Sequence, residues 1–268
     1  MVNAKTIAII DIGSNSIVLL VAKCHRNGQI EPVDELFAIT RLGKEICKNG
    51  MLAEDAMKKT IDVSKEMKSI AEREGAEEII VTATHAVREA KNKSEFLVNF
   101  NKEVHLFPEV LSGKEEAKFT YLGATSDMPE DKEIITIDVG GGSSEVAFGT
   151  KNIVIEALSL PVGCVSLCEK FNIEKRTWFT SDRTAAQNYV KRMLLNIVDP
   201  VNVWMRGKTP TVLASGGTAT TYAAILIGKD LYDRSQVHMK TSSRKEVAMV
   251  NRRISRVSVE ERIRIKGM

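Results

Sequence analysis

Four cysteines are all that these 268 residues contain, and no two of them form a C-x-x-C pair. A redox dithiol or a zinc ribbon is therefore not expected, and Cys24, Cys47, Cys164 and Cys168 read as reduced, mostly packed thiols. Cys164 and Cys168 share helical i, i+4 spacing but lack companion histidines. Histidine is equally sparse: His25, His85, His105 and His238 are scattered, and none is expected to bind metal. No stretch approaches the ~20 apolar residues that cross a bilayer. Asp11 interrupts the first apolar run and no basic segment precedes it, so a secretory leader is not expected and the expected location is the cytoplasm.

Net charge is low, +3, with 43% apolar and 27% charged residues. That composition describes an ordinary soluble globular chain, long enough for one large or two modest domains. The charge is unevenly placed. From Lys240 to Lys266 nine Lys or Arg face three Glu. Such a strip reads either as a solvated helical face or as a surface that attracts a long polyanion.

What the chain does have is IITIDVGGGSSEVAF, from Ile134 to Phe148. A β-branched run ends in Asp138, glycines follow, and Glu145 opens a second apolar run, which predicts strand, turn, strand. Successive glycines let several N–H groups converge on an anion, so Gly140, Gly141, Gly142 and Ser143 are candidate phosphate contacts. Asp138 and Glu145 flank that loop, and two carboxylates beside phosphate suit a hard cation such as Mg²⁺.

A second copy lies near the N-terminus. AIIDIGSNSIVLLVA, from Ala8 to Ala22, again ends a strand in an aspartate, Asp11, before Gly13, Ser14, Asn15 and Ser16. Asp11 joins Asp138 and Glu145 as a metal candidate. Two phosphate hairpins half a chain apart suggest two similar domains serving one nucleotide or phosphate chain.

Between the hairpins, a turn at Asn27-Gly28 and a strand over Val33 to Ile39 are predicted. A helix from about Ala53 to Glu74 carries Met57, Ile61, Ser64, Met67 and Ile70 on one stripe and ends at Gly75. A strand is expected at Glu78 to Thr82, then a short loop or helix over Thr84 to Arg88. Ser94 is expected to cap a helix through Phe100, with a strand at Val104 to Leu106. Glu115 and Glu116 open a helix after Ser112-Gly113; acids suit that position, and one of the two must face inward if Ala117, Tyr121 and Leu122 pack on the sheet.

The polar stretch Ser126 to Lys132 predicts the boundary between domains 1–125 and 126–268. Beyond it come a strand at Ile153 to Leu160, a helix to about Phe171, a long helix over Thr180 to Val198 with Asp199-Pro200 at its end or at a kink, and a strand at Thr211 to Ala214. That strand delivers Ser215, Gly216, Gly217 and Thr218 to a helix N-terminus, a natural anion site. Basic helices are expected from about Ser242.

DIGSNS at Asp11, ATHAVREAKN ending at Asn92, SGKEEA at Ser112, IDVGGGSSE ending at Glu145, PVGCVSL at Pro161 and ASGGT ending at Thr218 together resemble the exopolyphosphatase and guanosine pentaphosphate phosphohydrolase family. The resemblance covers nearly the whole chain. It implies two ribonuclease H-like α/β domains of the actin, Hsp70 and sugar kinase superfamily, with phosphates bound in the cleft between them. It further implies Glu116 as catalytic base, Arg88 on substrate phosphate, and Asp138 and Glu145 at Mg²⁺. ASGGT departs from the more frequent family pattern, which leaves Ser215 against Thr218 open. Family members continue past the equivalent of Met268 into a further strand and helix, so a truncated C-terminus is expected.

The expected activity is Mg²⁺-dependent release of the terminal phosphate of inorganic polyphosphate. The alternatives are removal of the 5′ γ-phosphate of guanosine pentaphosphate, and a nucleotide- or polyphosphate-binding module without turnover. No membrane or specific nucleic-acid partner is expected, and a homodimer is plausible for a long polyanionic substrate.

Overall fold

The computed structural model describes residues 4–171 and 180–268. It divides into two compact units, residues 1–116 with 141–143, and residues 117–140 with 144–268. The division falls inside a helix, ahead of the polar Ser126 to Lys132 stretch.

The first unit is built on a five-stranded sheet in the order β3-β2-β1-β4-β5. Its strands are β1 (Lys5–Ile12), β2 (Ser16–Cys24), β3 (Ile30–Ile39), β4 (Glu78–Ala83) and β5 (Glu109–Val110). β1, β2 and β3 form an antiparallel meander, while β1, β4 and β5 run parallel. Alternation explains which face is covered: Ala8, Ile10 and Ile12 of β1 and Ile17, Leu19 and Val21 of β2 are fully buried, as period-2 side chains on one face must be. The helices are α1 (Ile46–Asn49), α2 (Glu54–Arg73), α3 (His85–Glu89) and α4 (Lys93–Val104), followed by α5 (Gly113–Ala124).

On α2, Met57, Ile61 and Met67 turn inward with the buried Thr60 and Ser64. The two hydroxyls donate to Ala56 O and Thr60 O at 2.8 Å each, so neither is buried unsatisfied. Phe96 and Phe100 of α4, both fully buried with ring centroids 5.8 Å apart, complete this core. Each fully buried side chain of this size contributes roughly 1.5–3 kcal/mol.

Two expectations are corrected here. Val104 ends α4 and the strand comes later, at Glu109–Val110, because the amphipathic stripe of Phe96, Phe100 and Val104 continues at i, i+4 spacing. Ser94 lies inside α4, and Asn92 takes the N-cap position. Its carboxamide does not cap the helix: it accepts from Leu52 N at 2.9 Å and donates to Leu52 O at 3.1 Å.

The second unit repeats the plan. Its sheet has the order β8-β7-β6-β9, from β6 (Glu133–Val139), β7 (Ser144–Thr150), β8 (Ile153–Leu160) and β9 (Thr211–Ser215). β6, β7 and β8 are antiparallel and β9 joins β6 in parallel. Ala117 and Tyr121 of α5 pack on Ile134, Ala147 and Ala157 on one face, and the Tyr121 hydroxyl donates to Thr150 O at 2.9 Å. The opposite face packs Ile135, Val146 and Phe148 against α7 (Thr180–Trp204). α7 continues through Pro200, which costs that turn one N–H donor. The remaining helices are α6 (Cys164–Lys170), α8 (Gly216–Ile227), α9 (Arg234–Val237), α10 (Arg244–Arg256) and α11 (Val259–Arg262).

Candidate active site

In the first unit the hairpin between β1 and β2 is closed by Gly13 N donating to Ser16 O at 2.9 Å. The carbonyls of this loop are occupied: Asn15 O accepts from Arg41 N at 2.9 Å and Ser14 O from Gly43 N at 2.7 Å. Asp11, the last polar residue before the loop, accepts from the Thr82 hydroxyl at 2.7 Å. Burial pushes its proton affinity up and the Thr82 hydrogen bond opposes that shift.

The two adjacent glutamates of α5 have separate tasks. Glu115 closes a box with Ser112: Ser112 N donates to Glu115 Oε2 at 2.8 Å, and Glu115 N donates to Ser112 Oγ at 3.2 Å. Glu116 is the one that faces inward. Arg88 Nη1 donates to its Oε2 at 3.0 Å and to Leu111 O at 2.7 Å. Arg88 is delivered by α3, which starts where β4 ends. Burial raises the Glu116 proton affinity; the Arg88 hydrogen bond and charge lower it, the Asp11 charge raises it, and a Thr84 hydrogen bond lowers it.

Residues 141–143 group with the first unit. A Cβ on Gly142 would lie 2.2 Å from His85 Cδ2 and 2.7 Å from Ser14 Oγ, and one on Gly141 would lie 3.2 Å from the Asn15 Cβ. Only glycine allows this approach of backbone to the buried His85, whose proton affinity is lowered by burial and then by Arg88.

In the second unit four polar side chains stand in one row across the sheet. Asp138 pairs with Glu145 on β7 and with Ser215 on β9, and Glu145 pairs with Ser159 on β8. Register partners share a face. Ser215 Oγ donates to Asp138 Oδ2 at 3.1 Å and Ser159 Oγ donates to Glu145 Oε1 at 2.8 Å. Gly216 follows at φ +77, where a Cβ would meet Asp138 Oδ1 at 2.3 Å. Thr218 Oγ1 donates to Val139 O at 2.9 Å. The two hydroxyls of ASGGT thus have different partners, a carboxylate for Ser215 and a strand carbonyl for Thr218. At Gly217 a Cβ would meet nothing within 4 Å, so the start of α8 is open. Gly140 O accepts from Cys164 N at 3.0 Å, tying the loop to α6.

The equivalent row of the first unit is Thr82, Asp11, Val18 and Phe37. Both aspartates pair seven residues onward and both take a hydroxyl from the parallel strand. Where the second unit has Glu145 and Ser159, the first has Val18 and Phe37. Thr82 and Ser159 escape sequence reading because their partners are set by strand register, and Thr84 because its partner Glu116 lies on a helix far along the chain; hydroxyls at or just past the ends of the strands are the only signal.

Among the described residues no three His, Cys, Asp or Glu side chains gather as a ligand set. Mg²⁺ rarely needs one, since it is commonly held by one or two carboxylates together with phosphate and water. The adjacent, partly hydroxyl-clamped carboxylates of Asp138 and Glu145 are a donor set of that kind.

Two sheets built on one plan, each with a hairpin loop at an aspartate-bearing strand end, define a ribonuclease H-like protein of two α/β units. Residues 20–268 match the Ppx/GppA phosphatase family. The chain belongs to that family. It is 30% identical over 250 residues to a bifunctional 3-dehydroquinate synthase/phosphatase of Fusobacterium nucleatum, covering 90% of this chain and 37% of that protein. It is 29% identical to exopolyphosphatase 1 of Mycobacterium tuberculosis, over 78% of this chain and 58% of that one. The chain therefore spans only part of these curated relatives. Among solved structures, the Aquifex aeolicus PPX-GPPA enzyme matches with a TM-score of 0.79 and 32% identity, covering 99% of this chain and 86% of that one. An exopolyphosphatase from Cytophaga hutchinsonii matches with a TM-score of 0.84 and 25% identity, over 98% and 84%. No helix among the described residues is long and apolar enough to cross a membrane.

Proposed function

We propose that this chain is a phosphoanhydride hydrolase that releases the terminal phosphate of inorganic polyphosphate. The observation that carries this reading is the Arg88–Glu116 pair: a half-buried carboxylate held by a guanidinium at 3.0 Å, with its proton affinity raised by burial.

Phosphoryl transfer asks the protein for little covalent chemistry; alignment of the attacking water and stabilisation of charge on the phosphoryl oxygens dominate. Glu116 would accept the proton of that water, and a raised proton affinity makes it a better base near neutral pH. Arg88 would both hold Glu116 and bind phosphate. Its Nη1 serves Glu116 and Leu111, and among the described residues Nη2 has no protein partner. N–H groups of Ser14 to Ser16, of Gly140 to Ser143 and of the α8 start at Ser215 to Thr218 would bind phosphate oxygens, Gly13 N being spent on closing its own hairpin. Mg²⁺ on Asp138 and Glu145 would supply charge neutralisation at the phosphates.

The exopolyphosphatase name of the mycobacterial relative and the basic C-terminal helix favour polyphosphate over guanosine pentaphosphate. Both present the same terminal anhydride. A binder without turnover would have no use for a base paired to Arg88. The test is Mg²⁺-dependent phosphate release from long-chain polyphosphate and guanosine pentaphosphate, for the wild type and Glu116→Ala. Release from polyphosphate that falls at least about 100-fold in the variant supports the reading; a variant within a few-fold of wild type removes Glu116 as the base, and preference for the nucleotide replaces the substrate.

A further inference from the structure

α10 is a two-sided helix. Val250 is buried on Ile225 of α8, with Ile254 and Tyr222 packed beside them. At 100° per residue, Lys245, Arg252 and Arg256 fall on the side opposite Val250 and Ile254, and all three are exposed. Arg253 is exposed beside them. None of the four forms an ion pair with another described residue.

Glu246, the one acid of α10, and Glu261 beyond it are both engaged at helix starts. Glu246 is held at the N-terminus of α10, where Ser243 N and Oγ donate to its Oε2 at 2.7 and 2.8 Å. Glu261 is held in the same way by Ser258 N at 2.8 Å. Both have lowered proton affinities, first through those backbone hydrogen bonds, so their charge serves helix caps. The basic stripe from Lys245 to Arg256 runs about 16 Å at 1.5 Å per residue, long enough to meet several successive anionic units.

The core side of α10 lies on α8, and α8 begins at the Ser215 to Thr218 loop. Stripe and loop are therefore two layers of one packed element pair. We propose that the outer face of α10 is an exosite for the distal part of a long polyphosphate chain, which raises affinity for long substrates without contacting the bond that is cleaved. This rests on the polyphosphatase reading above. A patterned row of cations favours a flexible polyanion through charge, and that attraction is screened by salt.

The test is the triple variant Lys245→Glu/Arg252→Glu/Arg256→Glu, with the Gln triple as a milder form. KM is measured for a chain of several hundred phosphates and for tripolyphosphate, and direct binding of labelled long-chain polyphosphate is measured without turnover. The expected result is a rise of about tenfold or more in long-chain KM and Kd, a smaller rise in the Gln variant, tripolyphosphate KM within twofold, and a weaker salt dependence of binding. Equal changes for long and short substrates, or none for either, overturn the exosite. Single-stranded RNA that binds wild type as tightly as polyphosphate, with the same loss in the variants, overturns its assignment to polyphosphate. If wild type releases no phosphate yet long-chain binding is lost in the variants, the exosite stands and the proposed activity fails.

Discussion

Asp138 stands directly across from Glu145 in the β6–β7 ladder, one carboxylate beside another on the same face of the sheet. Like charges at opposed positions oppose folding by about 0.2–1 kcal/mol unless a cation or proton intervenes. Mg²⁺ is accordingly expected to raise the melting temperature of wild type, and Asp138→Asn/Glu145→Gln is expected to abolish that rise. A thermal shift that persists in the double variant would place the ion elsewhere.

The acid limb of the activity profile should report Glu116. Burial raises its proton affinity, so the ionised base forms only above the ordinary glutamate value of 4.5, and kcat/KM should rise with pH through that raised value. Arg88 lowers it, so Arg88→Ala should move the residual limb to higher pH while cutting the rate. An unmoved limb would separate Arg88 from the base. For stability the sign is opposite. A carboxyl with a raised folded value stabilises the fold below its unfolded value and loses that contribution as pH climbs through the folded one, so Glu116→Gln should gain melting temperature relative to wild type at pH 8 compared with pH 4.

Gly142→Ala should be poorly tolerated, since the added methyl meets His85 and Ser14. Overpacking of this kind costs roughly 1–3 kcal/mol. Denaturation of Gly142→Ala, His85→Ala and the double variant measures it: the double should recover part of the loss, and strict additivity would show that His85 is not the obstacle.

Asn92 acts on a distant loop, through two hydrogen bonds to the backbone of Leu52. Asn92→Ala should cost about 1–3 kcal/mol, at roughly 0.5–1.5 kcal/mol per hydrogen bond. Asn92→Asp keeps the acceptor and loses the donor, and should rank as badly, since it turns a carboxylate oxygen towards the Leu52 carbonyl. Chemical denaturation that ranks Asp with wild type would dismiss the clamp.

Most of the fold is written in local pattern. The alternation in β1 and the stripe on α2 mark their buried faces, and the repeated strand-aspartate-glycine signal marks both hairpins. The errors fell where a pattern was short. Val104 to Leu106 reads as strand although the helical stripe of Phe96, Phe100 and Val104 still holds, and Ser94 reads as a cap although the helix already begins at Lys93; the tie of Asn92 to Leu52, forty positions away, is invisible in a window. In the site, the choice of Glu116 over Glu115 comes from the family resemblance; local pattern leaves the two equivalent, since both are acids in a first turn and only the partner Arg88, on another helix, separates them. Thr82 and Ser159 were beyond reach for the same reason.

The matched rows at Asp11 and Asp138 also bear on descent. Equal hairpin spacing and an equivalent hydroxyl donor are what two copies of one ancestral half would retain. The copies diverge at the neighbouring places, Val18 for Glu145 and Phe37 for Ser159, without disturbing a strand. Specialisation of one copy then required no new architecture, only side-chain replacement along a single line of the sheet.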